Sequence, residues 1–172
     1  VIPPPDRLGA GGAAALGDVA RRVFEGLPLR AEQSWEVPWR RAEIPAAGGT
    51  GNARSVATVQ RVLACGGEVD GVRLLSPATV EQVFREQAHD VDLVLGAKIR
   101  HGIGYGLTSP DLPVSPNERA CFWGGWGGSL VVCDLDLRLC FAYVMNRMGE
   151  GTTGDLRAAS ILLSAYGAMA GS

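Results

Sequence analysis

The chain has 172 residues, 47% of them apolar and 20% charged, with a formal net charge of −2. That length suits one core-forming domain and is short for two. The near-neutral charge, with no basic run and no stretch of eighteen apolar residues, argues against nucleic acid, an anionic membrane surface and a transmembrane helix.

The N-terminal sequence Val1-Ile2-Pro3-Pro4-Pro5-Asp6 has no charged n-region and does not read as a signal peptide. Residues 1–49 are rich in Pro, Gly and Ala and form a loop-rich segment. Residues 9–17 read as a loop, and 18–25 as a short helix with Val19, Val23 and Phe24 inward. Trp35 and Trp39 flank Val37-Pro38; the proline argues for an extended stretch in which both indoles pack.

Residues 50–172 carry helices, a three-strand antiparallel unit and a terminal helix, within one partial domain. Thr50 or Asn52 can cap a helix to about Cys65, with Val56, Val59, Val62 and Leu63 on one face. Gly66-Gly67 ends it. Val69-Asp70-Gly71-Val72 carries the Asp-Gly signal of a tight hairpin. Ser76-Pro77 opens a second helix to about Gln87, with Val80, Val83 and Phe84 inward.

Residues 88–100 show no clear period. His101-Gly102-Ile103-Gly104-Tyr105-Gly106-Leu107 alternates strictly, which predicts a strand with Ile103, Tyr105 and Leu107 on one face. It lacks the spacing of a dinucleotide loop. A Pro-containing loop over 112–118 precedes three strands, at 120–124, 129–135 and 137–146. Thr152 can cap a last helix, with Asp155 near its positive end and Leu156, Ala159, Leu163, Tyr166 and Met169 buried. This order predicts an α+β fold, an antiparallel sheet covered by a C-terminal helix.

Four cysteines, Cys65, Cys121, Cys133 and Cys140, have no C-x-x-C spacing, and only His89 and His101 could add imidazole. We expect no metal and no cofactor, and buried thiols in a reducing, cytoplasmic compartment.

The candidate site is Trp123-Gly124-Gly125-Trp126, inside Phe122-Trp123-Gly124-Gly125-Trp126-Gly127-Gly128-Ser129. Glycines in a strand let a ligand approach the backbone, and the indoles offer broad apolar faces. No nucleophile–base motif accompanies them. His89 and His101 read as packing residues.

Ile44 to Ser55, Leu74 to Val80 and Gly102 to Leu107 precede the glycine segment, and Phe141-Ala142-Tyr143-Val144-Met145-Asn146-Arg147-Met148 closes the pattern. In this order they resemble the C-terminal part of the serine β-lactamase-like superfamily, which includes class C β-lactamases, DD-peptidases and family VIII carboxylesterases. The resemblance implies that fold over the last 130 or so residues. It makes Trp123-Gly124-Gly125 the third active-site motif in its esterase form, with the Trp126 N–H as an oxyanion donor. Trp in place of a cationic Lys points to an uncharged ester or amide as the small-molecule substrate.

The superfamily's Ser-x-x-Lys and Tyr motifs are absent. Lys98 is the only lysine and Leu95 stands where the serine would be. No catalytic residue is therefore assigned. The resemblance implies that the nucleophile comes from a preceding segment, so that the chain is the substrate-binding C-terminal portion of a serine hydrolase. Its partner would be an N-terminal half, a second chain or another copy of itself. The alternative is a non-catalytic module of the same fold that binds a ligand or partner.

Overall fold

The structure, a computed structural model, describes residues 17–26 and 29–171. The loop expected over 9–17 lies outside them except for Gly17. A six-stranded antiparallel sheet runs in the order β3-β4-β5-β6-β7-β8. Its strands are β3 (Ala88–Val91), β4 (Lys98–His101), β5 (Gly106–Leu107), β6 (Ala120–Gly124), β7 (Leu130–Asp134) and β8 (Leu139–Tyr143). The three strands expected from sequence are therefore half of a larger sheet. A separate hairpin joins β1 (Glu68–Val69) and β2 (Val72–Arg73), with Asp70 and Gly71 at φ 52° and 77°, as the Asp-Gly signal required.

Helices cover both faces. On one side α3 (Ala53–Ala64) and α4 (Pro77–Val83) bring Leu63, Ala64 and Val80 against Leu107, Cys121 and Cys133. On the other, α5 (Leu156–Ala170) brings Leu162 and Tyr166 against Ile99, Phe122 and Val132. Side chains alternate across a strand. Hence Cys121 faces α3 while Ala120 and Phe122 face α5, and all three are buried. Two covered faces explain why β6 and β7 are apolar along nearly their whole length. The sequence reading covered the sheet with the last helix alone; α3 and α4 complete the sandwich.

Asn52 caps α3 as expected: its Oδ1 accepts from the Ser55 N–H at 3.0 Å, and the Ser55 Oγ accepts from the Asn52 N–H at 2.9 Å. Val59 is 68% exposed rather than buried; Ala64 fills the inward stripe instead. The Ser76 Oγ caps α4, accepting from the Thr79 N–H at 3.0 Å. That helix stops at Val83, not Gln87, because the Gln87 N–H is drawn into the sheet and donates to the His101 carbonyl at 2.7 Å.

Other expectations fail for identifiable reasons. In α1 (Asp18–Gly26) Ala20 is buried, while Val19 and Val23 are exposed. A 3₁₀ turn (Ala31–Trp35) and α2 (Val37–Arg41) replace the extended segment. Pro38 lies in the first turn of α2, where no amide donor is missed. Trp35 is 55% exposed and Trp39 half-buried. The cap of α5 is Asp155 rather than Thr152, and its Oδ1 accepts from the Arg157 N–H at 2.9 Å and the Ala158 N–H at 3.3 Å. Tyr166 is buried as expected, but Ala158 and Leu162 take the places expected of Ala159 and Leu163; Leu156 and Leu163 face outward and Met169 is 37% exposed.

Asp134 anchors α5 to the sheet. Its buried carboxylate accepts from the Ser115 hydroxyl at 2.6 Å, the Asn117 amide at 2.9 Å, the Leu137 N–H at 3.0 Å and the Tyr166 hydroxyl at 3.0 Å. Burial pushes this carboxyl up, but the four donors outweigh it and hold it below the usual carboxylate range. Burial and the facing carboxylate push the Tyr166 phenol up to about 12.

Candidate functional site

The expected strand over 101–107 is broken, and the break shapes the site. The Gly102 N–H donates to the Tyr105 carbonyl at 2.8 Å, and Gly104 has φ 78°. The alternation of glycine with large residues is that of a bend, and Ile103 points to solvent. A Cβ on Gly102 would lie 2.1 Å from the Val83 carbonyl oxygen, so only glycine lets the bend pack on α4. As a result β5 pairs with β6 only at Gly106–Phe122 and Leu107–Cys121. Beyond Phe122 no strand among the described residues pairs with the outer edge of β6.

Strand alternation says which groups that edge presents. The Gly125 N–H donates to the Ser129 carbonyl at 2.9 Å, which makes 125–129 a hydrogen-bonded pair and, two residues back, 123–131 another. Trp123 therefore turns its backbone groups toward β7, as does the Gly125 N–H, while the Gly125 carbonyl accepts from the Gly128 N–H at 3.1 Å and the Gly154 N–H at 3.4 Å. The N–H and carbonyl of Gly124, and the Trp126 N–H, point the other way, toward the open side. Among the described residues the Trp126 N–H makes no hydrogen bond.

A layer behind the edge fixes this geometry. A Cβ on Gly124 would lie 2.5 Å from the Thr153 carbonyl carbon and 2.6 Å from the Gly154 nitrogen, so the 153–154 backbone backs directly onto it. The turn that follows has Gly127 at φ 93° and Gly128 at φ 112°. The Gly127 N–H donates to the Gly151 carbonyl at 2.9 Å, and its carbonyl accepts from the Gly149 N–H at 2.8 Å. The Arg157 guanidinium then donates to the Gly127 carbonyl at 3.0 Å, the Arg147 carbonyl at 2.8 Å and Asp155. That hydrogen bond from Arg157 is the main influence holding the Asp155 carboxyl below its usual range.

Trp123 is 38% exposed, and its ring lies 5.9 Å from the His101 ring at 47°. The His101 Nε2 is 3.5 Å from the Asp92 Oδ2. Burial pushes the Asp92 carboxyl up, but the Leu95 and Val94 amides and His101 hold it below the usual range. Sequence reading placed His101 among packing residues; the fold sets it against the first residue of the motif. It also missed the Arg157 brace, for which only an arginine just inside the last helix gave any hint.

All four expected site residues thus lie on one continuous edge-and-turn segment. The edge can supply an aligned backbone donor, a backbone acceptor and an apolar wall. Among the described residues no cluster of His, Cys, Asp and Glu could hold a metal. A surface cavity of about 600 Å³, lined in part by His89, Arg100, Thr108, Ser115 and Asn117, includes none of the edge residues.

The sequence profile of the Beta-lactamase family matches residues 3–166, nearly the whole chain. The chain belongs to the beta-lactamase family. It is 33% identical over 114 residues to the esterase/beta-lactamase LipL of Mycobacterium tuberculosis, a match covering 66% of this chain and 26% of that protein. Among solved structures it is similar to a family VIII carboxylesterase, with TM-score 0.79 and 34% identity over 86% of this chain and 40% of that one. It is also similar to a penicillin-binding protein homologue from Caulobacter crescentus, with TM-score 0.72 and 36% identity over 77% of this chain and 36% of that one. This beta-lactamase family chain therefore spans two fifths or less of the length of these relatives. Its α+β sheet-and-helix fold is that of the β-lactamase/transpeptidase group. No helix among the described residues is long and apolar enough to cross a membrane.

Proposed function

We propose that this chain is the substrate-binding portion of a serine hydrolase that acts on an ester or amide through an acyl-enzyme. The observation that carries the reading is the open edge of β6, with a Trp126 N–H that makes no hydrogen bond among the described residues. An oriented donor with no internal partner suits an oxyanion that develops in the transition state, because it needs no reorganisation when the charge forms. Trp123 at the head of the motif offers apolar contact and no cation, which favours an uncharged acyl group over a carboxylate. Two of the similar proteins are described as esterase or carboxylesterase, which supports the ester.

In this reading the serine, its activating lysine and the tyrosine lie in a segment outside these 172 residues, in the same polypeptide or a second chain. The 172 residues are then one part of a larger domain. The serine attacks the carbonyl, the Trp126 N–H takes part of the oxyanion charge, and water releases the acyl group. Four free cysteines support a reducing, cytoplasmic setting.

The test is hydrolysis of short-chain p-nitrophenyl esters with fluorophosphonate labelling, on these residues alone and on the polypeptide that includes the preceding coding sequence. The first should show no turnover above background. The second should turn over and carry the label on a serine outside this segment. Label on a serine within the segment overturns the reading. Folded, unlabelled and inactive longer protein does the same and favours a non-catalytic binding module.

A further inference from the structure

Three of the four cysteines stand side by side across the last three strands of the sheet. Cys121 on β6 is opposite Cys133 on β7, and Cys133 is opposite Cys140 on β8. Because 125–129 and 123–131 are hydrogen-bonded pairs, so is 121–133. Backbone groups of Cys133 therefore point to β6, and 133–140 is a non-hydrogen-bonded pair. The two kinds differ in spacing: Cα atoms are about 4.5 Å apart in the second and about 5.5 Å in the first, with side chains correspondingly closer in the second. The sulfurs agree, with the Cys133 Sγ 4.0 Å from the Cys140 Sγ. Cys133 is buried and Cys140 half-buried.

We propose that Cys133 and Cys140 are a redox-modification site that closes to a cross-strand disulfide, with Cys121 left as a thiol. The backbone separation typical of such a non-hydrogen-bonded pair, about 4.5 Å, lies inside the range a disulfide spans, and the sulfurs are already 4.0 Å apart, so side-chain rotation suffices. The oxidant is a low-molecular-weight disulfide. The more accessible Cys140, as thiolate, attacks one of its sulfurs, forms a mixed disulfide and releases one small thiolate. The Cys133 thiolate then attacks the Cys140 sulfur, forms the internal bond and releases the second. Two protein thiols are oxidised, one small disulfide is reduced to two thiols, and the two protein protons pass to the released thiolates. The Cys121 sulfur and burial push the Cys133 thiol up to about 12, and the Cys133 sulfur and burial raise Cys140 well above its usual range, so exchange is slow.

The 172-residue chain is incubated for hours with oxidised glutathione at mildly alkaline pH, alkylated and mapped by intact and tandem mass spectrometry. The expected product is lighter than the reduced chain by two hydrogen atoms, joins Cys133 to Cys140 and carries alkylated Cys121 and Cys65. It persists in Cys121→Ala and is lost in Cys140→Ala. The wild-type map decides by itself, so a variant that fails to fold costs the test nothing. A Cys121–Cys133 bond, a stable glutathione adduct without internal closure, or a folded chain that stays fully reduced overturns the proposal.

Discussion

The Arg157 guanidinium donates to the Gly127 carbonyl at 3.0 Å, tying the first turn of α5 to the glycine turn thirty residues earlier. Asp155 caps the helix with one carboxylate oxygen and pairs Arg157 with the other, so cap and brace are coupled. Arg157→Ala should leave the cap in place and release the turn. Faster amide exchange at Gly127 and Gly149, with core amides unchanged, is the expected outcome. Asp155→Ala should release the turn too and also cost about 1 kcal/mol of stability through the lost N-cap. Equal exchange in wild type and Arg157→Ala would show that the glycine turn holds itself.

The two glycines of the motif should respond differently to added bulk. A Cβ at Gly124 meets backbone, at 2.5 Å from the Thr153 carbonyl carbon, and backbone cannot rotate aside. Gly124→Ala should therefore cost about 1–3 kcal/mol, or a fall in Tm of about 3–10 °C. A Cβ at Gly125 meets only the Ser129 Oγ, at 2.7 Å, and that hydroxyl can turn away. Gly125→Ala should change Tm little. Equal Tm losses, measured by thermal unfolding, would mean that the 153–154 backbone yields.

The same contrast bears on catalysis. In the polypeptide that includes the proposed nucleophile, Gly125→Val should crowd the open edge and shift the Trp126 N–H. Loss of one oxyanion donor typically costs about 3 kcal/mol, so kcat on a short acyl ester should fall roughly a hundredfold. Near-normal kcat in a folded variant would make this edge structural.

Local signals made much of the fold legible. The Asn52–Ser55 cap, the Asp70-Gly71 hairpin and the strands β6 to β8 are each encoded within a few residues. β3 was hidden because Ala88–Val91 is exposed throughout and shows no apolar alternation. The bend at Gly102–Tyr105 was mistaken for strand because glycine alternation looks the same whether the chain is extended or turned; the positive φ of Gly104 decides it. On α5 Tyr166 was placed correctly, where Asp134 holds it, but Ala159 and Leu163 were chosen over Ala158 and Leu162 because adjacent apolar residues leave the periodicity ambiguous. The motif itself was legible from its residues. Its supports, Arg157 and His101, reach it from distant positions and leave no local pattern.

Asp134 gives a pH-dependent prediction. Its carboxyl lies below the usual range in the folded chain, so it contributes stability that is fully present above the unfolded pKa of about 3.9. That contribution is lost as pH falls through the lower folded pKa. Asp134→Asn keeps the shape but weakens four hydrogen bonds and should cost about 3 kcal/mol near neutral pH. The stability gap between wild type and variant, from urea unfolding, should narrow steadily below about pH 4. A gap that stays constant or widens with acid would assign the low titration to another group.

The outer side of α5 gives the last prediction. Leu156 is 86% exposed and Leu163 66%, and seven residues apart they share one face of the helix. β8 ends the sheet and pairs only with β7 among the described residues, so its other edge carries open backbone groups. An apolar helix face and an open strand edge together favour association. These residues alone should self-associate in light scattering and bind a hydrophobic dye. Leu163→Glu sits on solvent-facing helix and should change stability by no more than about 0.5 kcal/mol. It should nonetheless reduce both association and dye binding, because a charge on that face must be desolvated when the face is covered. A monodisperse wild-type monomer that binds no dye would show that α5 needs no cover.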